Sequence, residues 1–416
     1  MSDELDIGIY AYLTETRGLG GRLRTKVEDF LVEEVYPAGR PLLPAGNSHT
    51  LLKIRARNWE TNHLIEEIAR QMHIRREAIH FAGMKDKRSV TTQYLTIGLP
   101  VEKTKFMLKD VEVLERSPVG SHINLGDASG NRFEIVLRDF KKDERDQAEL
   151  CRGKILEAGG VPNFYGPQRF GSVRPVTGVV GKAIIHRDFR SAVETYLRYP
   201  CEEEDAKILQ ARSASDPKEA FDLFPERFSY ERTLLASLIT DPGDYVKALM
   251  RLPKNLVMMF VHAYQSYLFN RILSERLKRG LPINEPVEGD IMIVPGGELI
   301  PVESTNLEKM RKVARTGKGC VTGIIFGSKP VFARGEMGEI ERREIEREGL
   351  SPGDFIIPEI PYASSKGERR GLLARISELD ISPYEDDALL FRFSLGSGMY
   401  ATSVMREFMK TEMRYY

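Results

Sequence analysis

Cysteine is scarce in this 416-residue sequence. Its three cysteines, Cys151, Cys201 and Cys320, lie too far apart for the CxxC-type spacing of a zinc site. So few and so dispersed thiols also argue against a disulfide framework and are typical of a reducing cytoplasm. The sequence therefore predicts neither a zinc site nor a fold that depends on disulfide bonds.

Long apolar runs are missing as well. No stretch reaches the ~18 consecutive apolar residues of a membrane-spanning helix. The first four residues, MSDE, do not resemble a signal peptide. From these two observations we expect a cytoplasmic protein with no membrane partner.

The motifs of several common enzyme chemistries are absent. The sequence contains no GxxxxGK[ST] loop, no GxGxxG after a predicted strand, no HExxH and no GxSxG. Its seven histidines are scattered along the chain. The sequence therefore predicts no nucleotide cofactor, no metal and no redox group.

An excess of charge of one sign is also lacking. Lysine plus arginine and aspartate plus glutamate number 61 each, so any surface for nucleic acid must be local. Basic residues do cluster over residues 70–88, where only Glu77 and Asp86 oppose them, and again over residues 17–26. Charge runs are more often solvated faces than binding sites, so these clusters alone make RNA binding one possibility among others.

The richest segment covers residues 81–93 and reads FAGMKDKRSVTTQ. Asp86 stands between Lys85 and Lys87, and Arg88 follows directly. A carboxylate among cations stays ionised, and the same cations can attract a phosphate-bearing partner. The alternative is a solvated turn whose charges neutralise each other. The segment by itself does not decide between the two.

Strand and helix patterns alternate along the chain in an order that favours an α+β fold over a parallel doubly wound one. Strands are predicted over residues 22–36, 50–55, 92–99, 132–137 and 389–395. Helices are predicted over residues 61–72, 142–158, 255–279, 336–348 and 402–410. An apolar strand near the C-terminus needs a sheet to join, so we expect it to complete the N-terminal sheet around a middle insertion.

Four segments resemble the TruD family of tRNA pseudouridine synthases, in an archaeal-type form. They are KVEDF at 26–30, the block at 81–93, VPNFYGPQRFG at 161–171 and GMYATSVMRE at 398–407, with a weaker fifth, GNRF, at 130–133. They follow the family's order over nearly the whole chain. The resemblance implies a pseudouridine-synthase catalytic domain with a mixed or antiparallel sheet, interrupted by a large inserted α+β domain.

The resemblance also implies a division of the chain. Residues 1–159 would form the first part of the catalytic domain. Residues 160–375 would form the inserted TRUD domain, and residues 376–416 would complete the catalytic domain.

The reaction implied by the resemblance is conversion of uridine-13 in the D arm of tRNA to pseudouridine. Asp86 matches the catalytic aspartate, which would act as nucleophile or base on a flipped-out uridine. Arg24 stands where the family has a lysine. Phe133 matches an aromatic residue that would stack on the target base, although a core-facing strand residue is the alternative. The isomerisation needs no external energy, which agrees with the missing cofactor motifs.

Further positions are assigned by the same resemblance. Phe30, Asn131 and Tyr400 match residues that line the base pocket, with Tyr400 standing where other members have phenylalanine, and Lys85 is expected to contact the substrate. The basic cluster over residues 70–88, together with Arg169 of the family segment, leads us to expect contacts to the RNA backbone from five basic residues: Arg75, Arg76, Lys87, Arg88 and Arg169. A structural role is equally open for Arg169.

Two other interpretations of the sequence remain. One is the same enzyme class acting on a different RNA, and the other is a non-catalytic RNA-binding protein of the same fold. The joint presence of Asp86, Asn131 and the aromatic residues favours catalysis. The expected partner is tRNA, no obligatory protein partner is inferred, and the oligomeric state is not indicated.

Overall fold

The computed structural model describes residues 4–36, 42–85, 87–171, 174–199, 201, 204–385 and 387–416. These residues form two compact units. The sheet unit contains residues 14–161 and 374–416. The helix-rich unit contains the described residues up to Leu13 together with residues 162–373.

The chain forms eight strands and two α-helices up to residue 162, among the described residues. The strands are β1 (Gly20–Arg22), β2 (Phe30–Val35), β3 (His49–Arg57), β4 (Ile79–Phe81), β5 (Val90–Ile97), β6 (Val111–Val119), β7 (Gly130–Phe140) and β8 (Gly160–Pro162). The helices are α1 (Thr61–Met72) and α2 (Arg145–Ala158).

The middle of the chain is mainly helical. Its helices are α3 (Thr177–Ile185), α4 (Phe189–Arg198), α5 (Ala206–Ser213), α6 (Pro217–Leu223), α7 (Ser229–Thr240), α8 (Tyr245–Met250), α9 (Lys254–Lys278), α10 (Leu307–Arg315) and α11 (Gly335–Arg347). Its strands are β9 (Ile291–Ile293), β10 (Leu299–Pro301), β11 (Cys320–Ile325) and β12 (Glu368–Gly371), which form one sheet in the order β10-β9-β11-β12. The C-terminal part adds β13 (Leu373–Tyr384), β14 (Ala388–Gly396) and α12 (Ala401–Met409).

The sheet unit is built on a mixed sheet with the strand order β6-β3-β5-β2-β7-β14-β13-β8. Strands β2 and β5 are parallel, whereas β2–β7, β3–β5 and β7–β14 are antiparallel. Strand β14 pairs with β7 from Ala388, opposite Arg138, to Gly396, opposite Gly130. The predicted joining of the C-terminal strand to the N-terminal sheet is therefore confirmed, as is the α+β class.

Successive side chains of a strand point to opposite faces of the sheet, and this alternation decides which residues are buried in the core. Phe30 and Val32 of β2 lie opposite Ile135 and Phe133 of β7, and all four are buried in a cluster that also contains residues of α2 and α12. A second cluster joins α1 to β3, β4 and β5. Helix α1 begins with a cap in which the Glu60 carboxylate accepts from two main-chain N–H groups, and its apolar residues face this cluster.

The strand predicted over residues 22–36 is shorter in the structure, where β2 begins only at Phe30. The extended chain is interrupted at Arg24, which has a positive φ of 56°. Asp29 then closes a tight turn, because its carboxylate accepts from the main-chain N–H of Lys26 at 2.7 Å. The side-chain pattern alone could not show this left-handed residue.

The start of the chain groups with the helix-rich unit rather than with the residues that follow it. The carbonyl of Ile7 accepts from the Asn270 amide at 2.9 Å, and the carbonyl of Gly8 accepts from the Ser274 hydroxyl at 3.1 Å. Both donors lie on α9. The boundary predicted from the sequence, which kept these residues with the segment ending at 159, differs from the compact units here.

No helix in the described part of the chain combines the length and the apolar character that crossing a bilayer requires.

Candidate active site

The residues predicted to be catalytic belong to two loops of the sheet unit and to β7. One loop, residues 82–89, joins β4 to β5, and the other, residues 23–29, leads into β2. Asp86, the predicted catalytic residue, lies outside the described residues. The residues on either side of it are placed, and they show how the loop is held.

Lys85 fixes the first half of this loop to α1 through its main chain. Its N–H donates to the Oγ1 of Thr61 at 2.7 Å, and its carbonyl accepts from the N–H of Thr61 at 3.3 Å. Thr61 is the first residue of α1 and is buried. Upstream, the Ala82 carbonyl accepts from the N–H of Gly126 at 2.9 Å. The main chain just before position 86 is therefore held at two points.

The Lys85 ammonium is directed into the protein. The side chain is 8% exposed, and its Nζ donates to the Oε1 of the fully buried Glu34 at 2.8 Å. The other Glu34 oxygen, Oε2, accepts from the main-chain N–H of Tyr94 at 3.0 Å and from the Tyr36 hydroxyl at 3.1 Å. Burial and the adjacent Glu34 carboxylate raise the pKa of Tyr36 above its ordinary value, so this hydroxyl stays a donor. Glu34 thus has the pairing that a buried charge requires.

Arg88 fixes the second half of the loop. Its N–H donates to the Oδ1 of Asn58 at 3.2 Å, and its Nη2 donates to the main-chain carbonyl of Arg24 at 3.1 Å. Arg24 and Arg88 both have positive φ angles, 56° and 59°. Such left-handed conformations are unfavourable for residues other than glycine and persist where surrounding contacts impose them. The two loops therefore meet through a hydrogen bond between two strained residues.

An aromatic row extends from Arg24 into the core. The Arg24 guanidinium lies 4.2 Å from the centroid of the Phe30 ring, a cation–π contact. Phe30 in turn packs edge-to-face against Phe133, and Phe133 packs against Phe393 with 5.4 Å between ring centroids. Phe133 is only 6% exposed. It occupies the core-facing position that the sequence left as an alternative, and its stacking on a base stays a prediction.

Two amide oxygens on the strands that flank β2 are buried without a hydrogen-bond partner among the described residues. They are the Oδ1 of Asn131, which lies opposite Glu34 in the β2–β7 pair, and the Oε1 of Gln93 on β5. Leaving a buried polar atom unpaired costs roughly 1–3 kcal/mol. An acceptor held in this condition is suited to a hydrogen bond from a bound group.

Tyr400, the remaining residue predicted to line the pocket, precedes the first turn of α12. Strand β14 ends at Gly396, opposite Gly130 and next to the Asn131 position. Tyr400 is half-buried, and its carbonyl accepts from the N–H of Ser403 at 3.0 Å. A role of the Tyr400 ring in a base pocket stays a prediction.

The basic residues predicted to contact RNA differ in their exposure and in the hydrogen bonds that they make within the protein. Arg75 and Lys87 are exposed. Arg76 is half-buried, and its Nη2 donates to the Oδ1 of Asn62 at 3.0 Å. Arg169 belongs to the helix-rich unit, where its Nε donates to the Ser266 hydroxyl at 3.2 Å.

The sequence predicted that neighbouring cations surround Asp86, which lies outside the described residues, and for two of those cations the structure gives partners far along the chain. Lys85 pairs with Glu34, and Arg88 donates to the carbonyl of Arg24. Sequence neighbours on a loop point in different directions, so adjacency along the chain did not predict these partners. What the two residues do is hold the loop on both sides of position 86.

Glu34 and Thr61 were not predicted as site residues. The period-2 pattern of β2 offered a signal for Glu34, because it shares the inward face with Phe30 and Val32 and is a carboxylate at an apolar position. No comparable signal marks Thr61, which looks like an ordinary residue at a helix start. Its contact with Lys85 forms because the fold brings the start of α1 next to the loop.

Metal-ligating side chains do not assemble in the part of the chain that the structure describes. No group of three or more His, Cys, Asp or Glu residues there could hold a metal ion. In the sheet unit, the rings of His80 and His122 stack with 4.1 Å between their centroids, and the ring centroid of His49 lies 5.8 Å from that of His122.

Comparison with known proteins agrees with this architecture. The family described as tRNA pseudouridine synthase D (TruD) matches residues 6–408. A relative from Methanosarcina acetivorans, described as "Probable tRNA pseudouridine synthase D", is 39% identical over 98% of this chain and 97% of its own length. A relative of the same description from Thermococcus gammatolerans is 37% identical over 96% of this chain and 97% of its own length.

A solved structure shares the fold. A crystal structure from Methanosarcina mazei, described as that of the "Putative tRNA pseudouridine synthase D (TruD)", superposes with a TM-score of 0.84 at 36% identity, over 100% of this chain and 99% of that chain. A mixed sheet completed by a C-terminal strand and joined to a helix-rich unit is thus the fold of a pseudouridine synthase, a class of isomerase. The chain belongs to the TruD family.

Proposed function

We propose that this protein is a tRNA pseudouridine synthase that isomerises uridine-13 in the D arm, with Asp86 as the reacting carboxylate. The observation that carries the proposal is the anchoring of the loop on both sides of position 86, by Lys85 and by Arg88. A carboxylate that must meet a sugar or base needs a fixed main chain, since small misplacements are costly in rate. Membership of the TruD family supplies the reaction class.

The reaction is an isomerisation whose atoms balance without a co-reactant. The bond between uracil N1 and ribose C1′ breaks, the base turns, and a bond forms between C5 and C1′. The proton on C5 leaves, and N1 gains one. We assign to Asp86 the role of nucleophile or base in this reaction, and Arg24, whose guanidinium lies over the Phe30 ring, would supply the positive charge that the family's lysine supplies.

The target uridine has to leave its stack to be reached. Asn131 offers an amide whose oxygen is unpaired among the described residues, and this suits reading of a uracil edge. Phe30, Phe133 and Tyr400 would supply apolar and aromatic surface around the base. In this scheme the sheet unit is the catalytic domain and the helix-rich unit is the inserted domain.

A map of pseudouridine in bulk tRNA, with and without this protein, tests the function. We expect pseudouridine at position 13 only when the protein is present, and we expect the purified protein to form it on unmodified tRNA without nucleotide or added metal. Modification confined to another position or another RNA would favour a pseudouridine synthase with a different RNA target. Binding of tRNA without formation of any pseudouridine would favour a non-catalytic RNA-binding protein of the same fold.

Replacing Phe133 separates base stacking from core packing. Phe133→Ala is expected to lower the free energy of unfolding of the sheet unit by about 3–5 kcal/mol, because it leaves a cavity between Phe30 and Phe393. Phe133→Leu leaves less empty volume but loses the ring, so its single-turnover rate should fall about five- to hundredfold if the ring stacks on a base. Trp59, the only tryptophan, lies in the sheet unit and reports its unfolding by fluorescence.

Phe391→Leu is the matched control for that experiment. Phe391 is fully buried, two residues from Phe393 on β14, and packs against Phe408. The control should lose stability to a similar degree and keep its rate in the folded protein. Equal losses of rate in the two leucine variants would assign Phe133 to the core alone.

Arg75→Ala tests whether the basic cluster contacts RNA. Arg75 is exposed, so its loss should weaken tRNA binding at low salt and reduce the slope of log K against log salt concentration by about one. Arg55→Ala serves as the control, because Arg55 is an exposed residue of β3 that pairs with Glu112 at 3.5 Å. Unchanged affinity and slope in Arg75→Ala would make this end of the cluster a solvated surface.

A further inference from the structure

We propose that Glu34 is a positioning residue for the reaction, whose buried carboxylate holds the main chain next to Asp86 by way of Lys85 and never touches the RNA. This inference rests on the proposed function, since it takes residue 86 as the reacting group. It adds a residue of β2 that neither the sequence motifs nor the predicted pocket contains.

The contacts of Glu34 connect three elements. Its Oε1 receives the Lys85 ammonium from the loop, and its Oε2 receives the main-chain N–H of Tyr94 from β5. The Tyr36 hydroxyl, just after β2, adds a second donor to Oε2. The Glu34 carboxylate therefore joins the loop to the parallel strands β2 and β5.

Burial of the Glu34 and Lys85 side chains restricts the positions that the two charges can take. The side chain of Glu34 is fully buried and that of Lys85 is 8% exposed, so neither charge can be satisfied by water if it moves. Since the main chain of Lys85 is also bound to Thr61, the residue is held at both its backbone and its ammonium. The peptide that leads into position 86 then has little freedom to shift.

Stability alone is a poor explanation of the pair. Apolar residues of similar volume commonly replace a buried ion pair without loss of stability, whereas removal of one partner is strongly unfavourable. The face of β2 that carries Glu34 otherwise carries Phe30 and Val32, so an apolar residue would suit the position. A carboxylate with three hydrogen bonds, from Lys85, Tyr94 and Tyr36, fixes direction and distance, which an apolar pair does not.

The neighbouring residue supplies a matched control. Glu33 lies on the opposite face of β2 and pairs with Lys53 at 3.1 Å, with its side chain 46% exposed. Glu33→Gln and Glu34→Gln make the same chemical change one residue apart. Only the second breaks a contact with the loop.

The experiment compares Glu33→Gln, Glu34→Gln, Asp86→Asn and the double variant Glu34→Leu/Lys85→Met with the parent. Three quantities are measured on each full-length protein: the single-turnover rate of pseudouridine formation at saturating enzyme, the Kd for tRNA, and the urea midpoint of Trp59 fluorescence. The rate at saturating enzyme excludes effects of binding, and the midpoint reports the stability of the sheet unit.

We expect Glu34→Gln to lower the single-turnover rate about ten- to a hundredfold, as for a small misplacement of a reacting group. Its Kd for tRNA should stay within about twofold of the parent, because a fully buried residue makes no phosphate contact. Glu33→Gln should keep its rate. The double variant should recover the urea midpoint and remain slow, because it removes both buried charges without restoring the fixed geometry.

Three results would overturn the inference. A parental rate in folded Glu34→Gln, with Asp86→Asn inactive, would leave the proposed function in place and remove the role of Glu34. Recovery of rate together with midpoint in the double variant would show that the pair only stabilises the fold, and this comparison stands even if Glu34→Gln does not fold. Activity in Asp86→Asn would instead reject the assignment of residue 86, and the inference with it.

Discussion

Replacement of Asp86 by asparagine is expected to abolish pseudouridine formation while tRNA binding persists. The amide has nearly the shape of the carboxylate but can act neither as a nucleophile nor as a base. The anchors of the loop, Lys85 on Glu34 and Arg88 on Asn58 and Arg24, are contacts of other residues than the one replaced. The loop should therefore keep its course, and the loss should fall on the chemical step.

Single-turnover assays with saturating enzyme measure that loss directly. Asp110→Asn is the control, since Asp110 is exposed and has a positive φ of 60°, a conformation that asparagine adopts readily. It should behave as the parent. Turnover by Asp86→Asn within about tenfold of the parent, a difference of only ~1.4 kcal/mol in barrier, would exclude Asp86 as the reacting residue.

A second large effect is expected in the helix-rich unit from Asp290→Ala. Asp290 and Arg276 are fully buried and form a bidentate pair, with Nη1 on Oδ1 at 2.6 Å and Nη2 on Oδ2 at 2.8 Å. Removing the carboxylate leaves a buried guanidinium with the carbonyl of Pro282 as its remaining described partner. The cost should be about 3–5 kcal/mol of unfolding free energy.

The measurement has to report on the correct unit. Trp59 lies in the sheet unit, so the change is measured by hydrogen exchange of the α9 amides around Arg276 and not by fluorescence. Glu285→Gln is the control, because Glu285 pairs with Arg315 at 2.6 Å on the surface, where such pairs contribute about 0–1 kcal/mol. The double variant Arg276→Met/Asp290→Leu should recover most of the lost protection. Unchanged exchange in Asp290→Ala would show that the pair is not needed for the unit.

The sequence determined several of the longer helices and strands, and the reaction class, but it did not predict α3–α8 or α10. Helix α1 runs over Thr61–Met72, as its apolar spacing predicted, and α9 runs over Lys254–Lys278, within one residue of its prediction at each end. These elements follow from periodicity, which is a local property of the chain. The family was also recognisable from short segments, because they preserve residue types in a fixed order whatever surrounds them.

The tertiary structure decided the partners of the site residues and the grouping of the chain. The loop motif is contiguous in sequence, yet Lys85 turns to Glu34, 51 positions away, and Arg88 reaches Arg24, 64 positions away. Which direction a loop side chain takes depends on which strand and helix approach it, and a local pattern does not contain that information. For the same reason residues 4–13 join α9, and the left-handed Arg24 shortens the strand predicted from residue 22. The periodicity of apolar residues determined helices such as α1 and α9. Long-range contacts between buried charges, carbonyls and amides determined how the site residues are arranged.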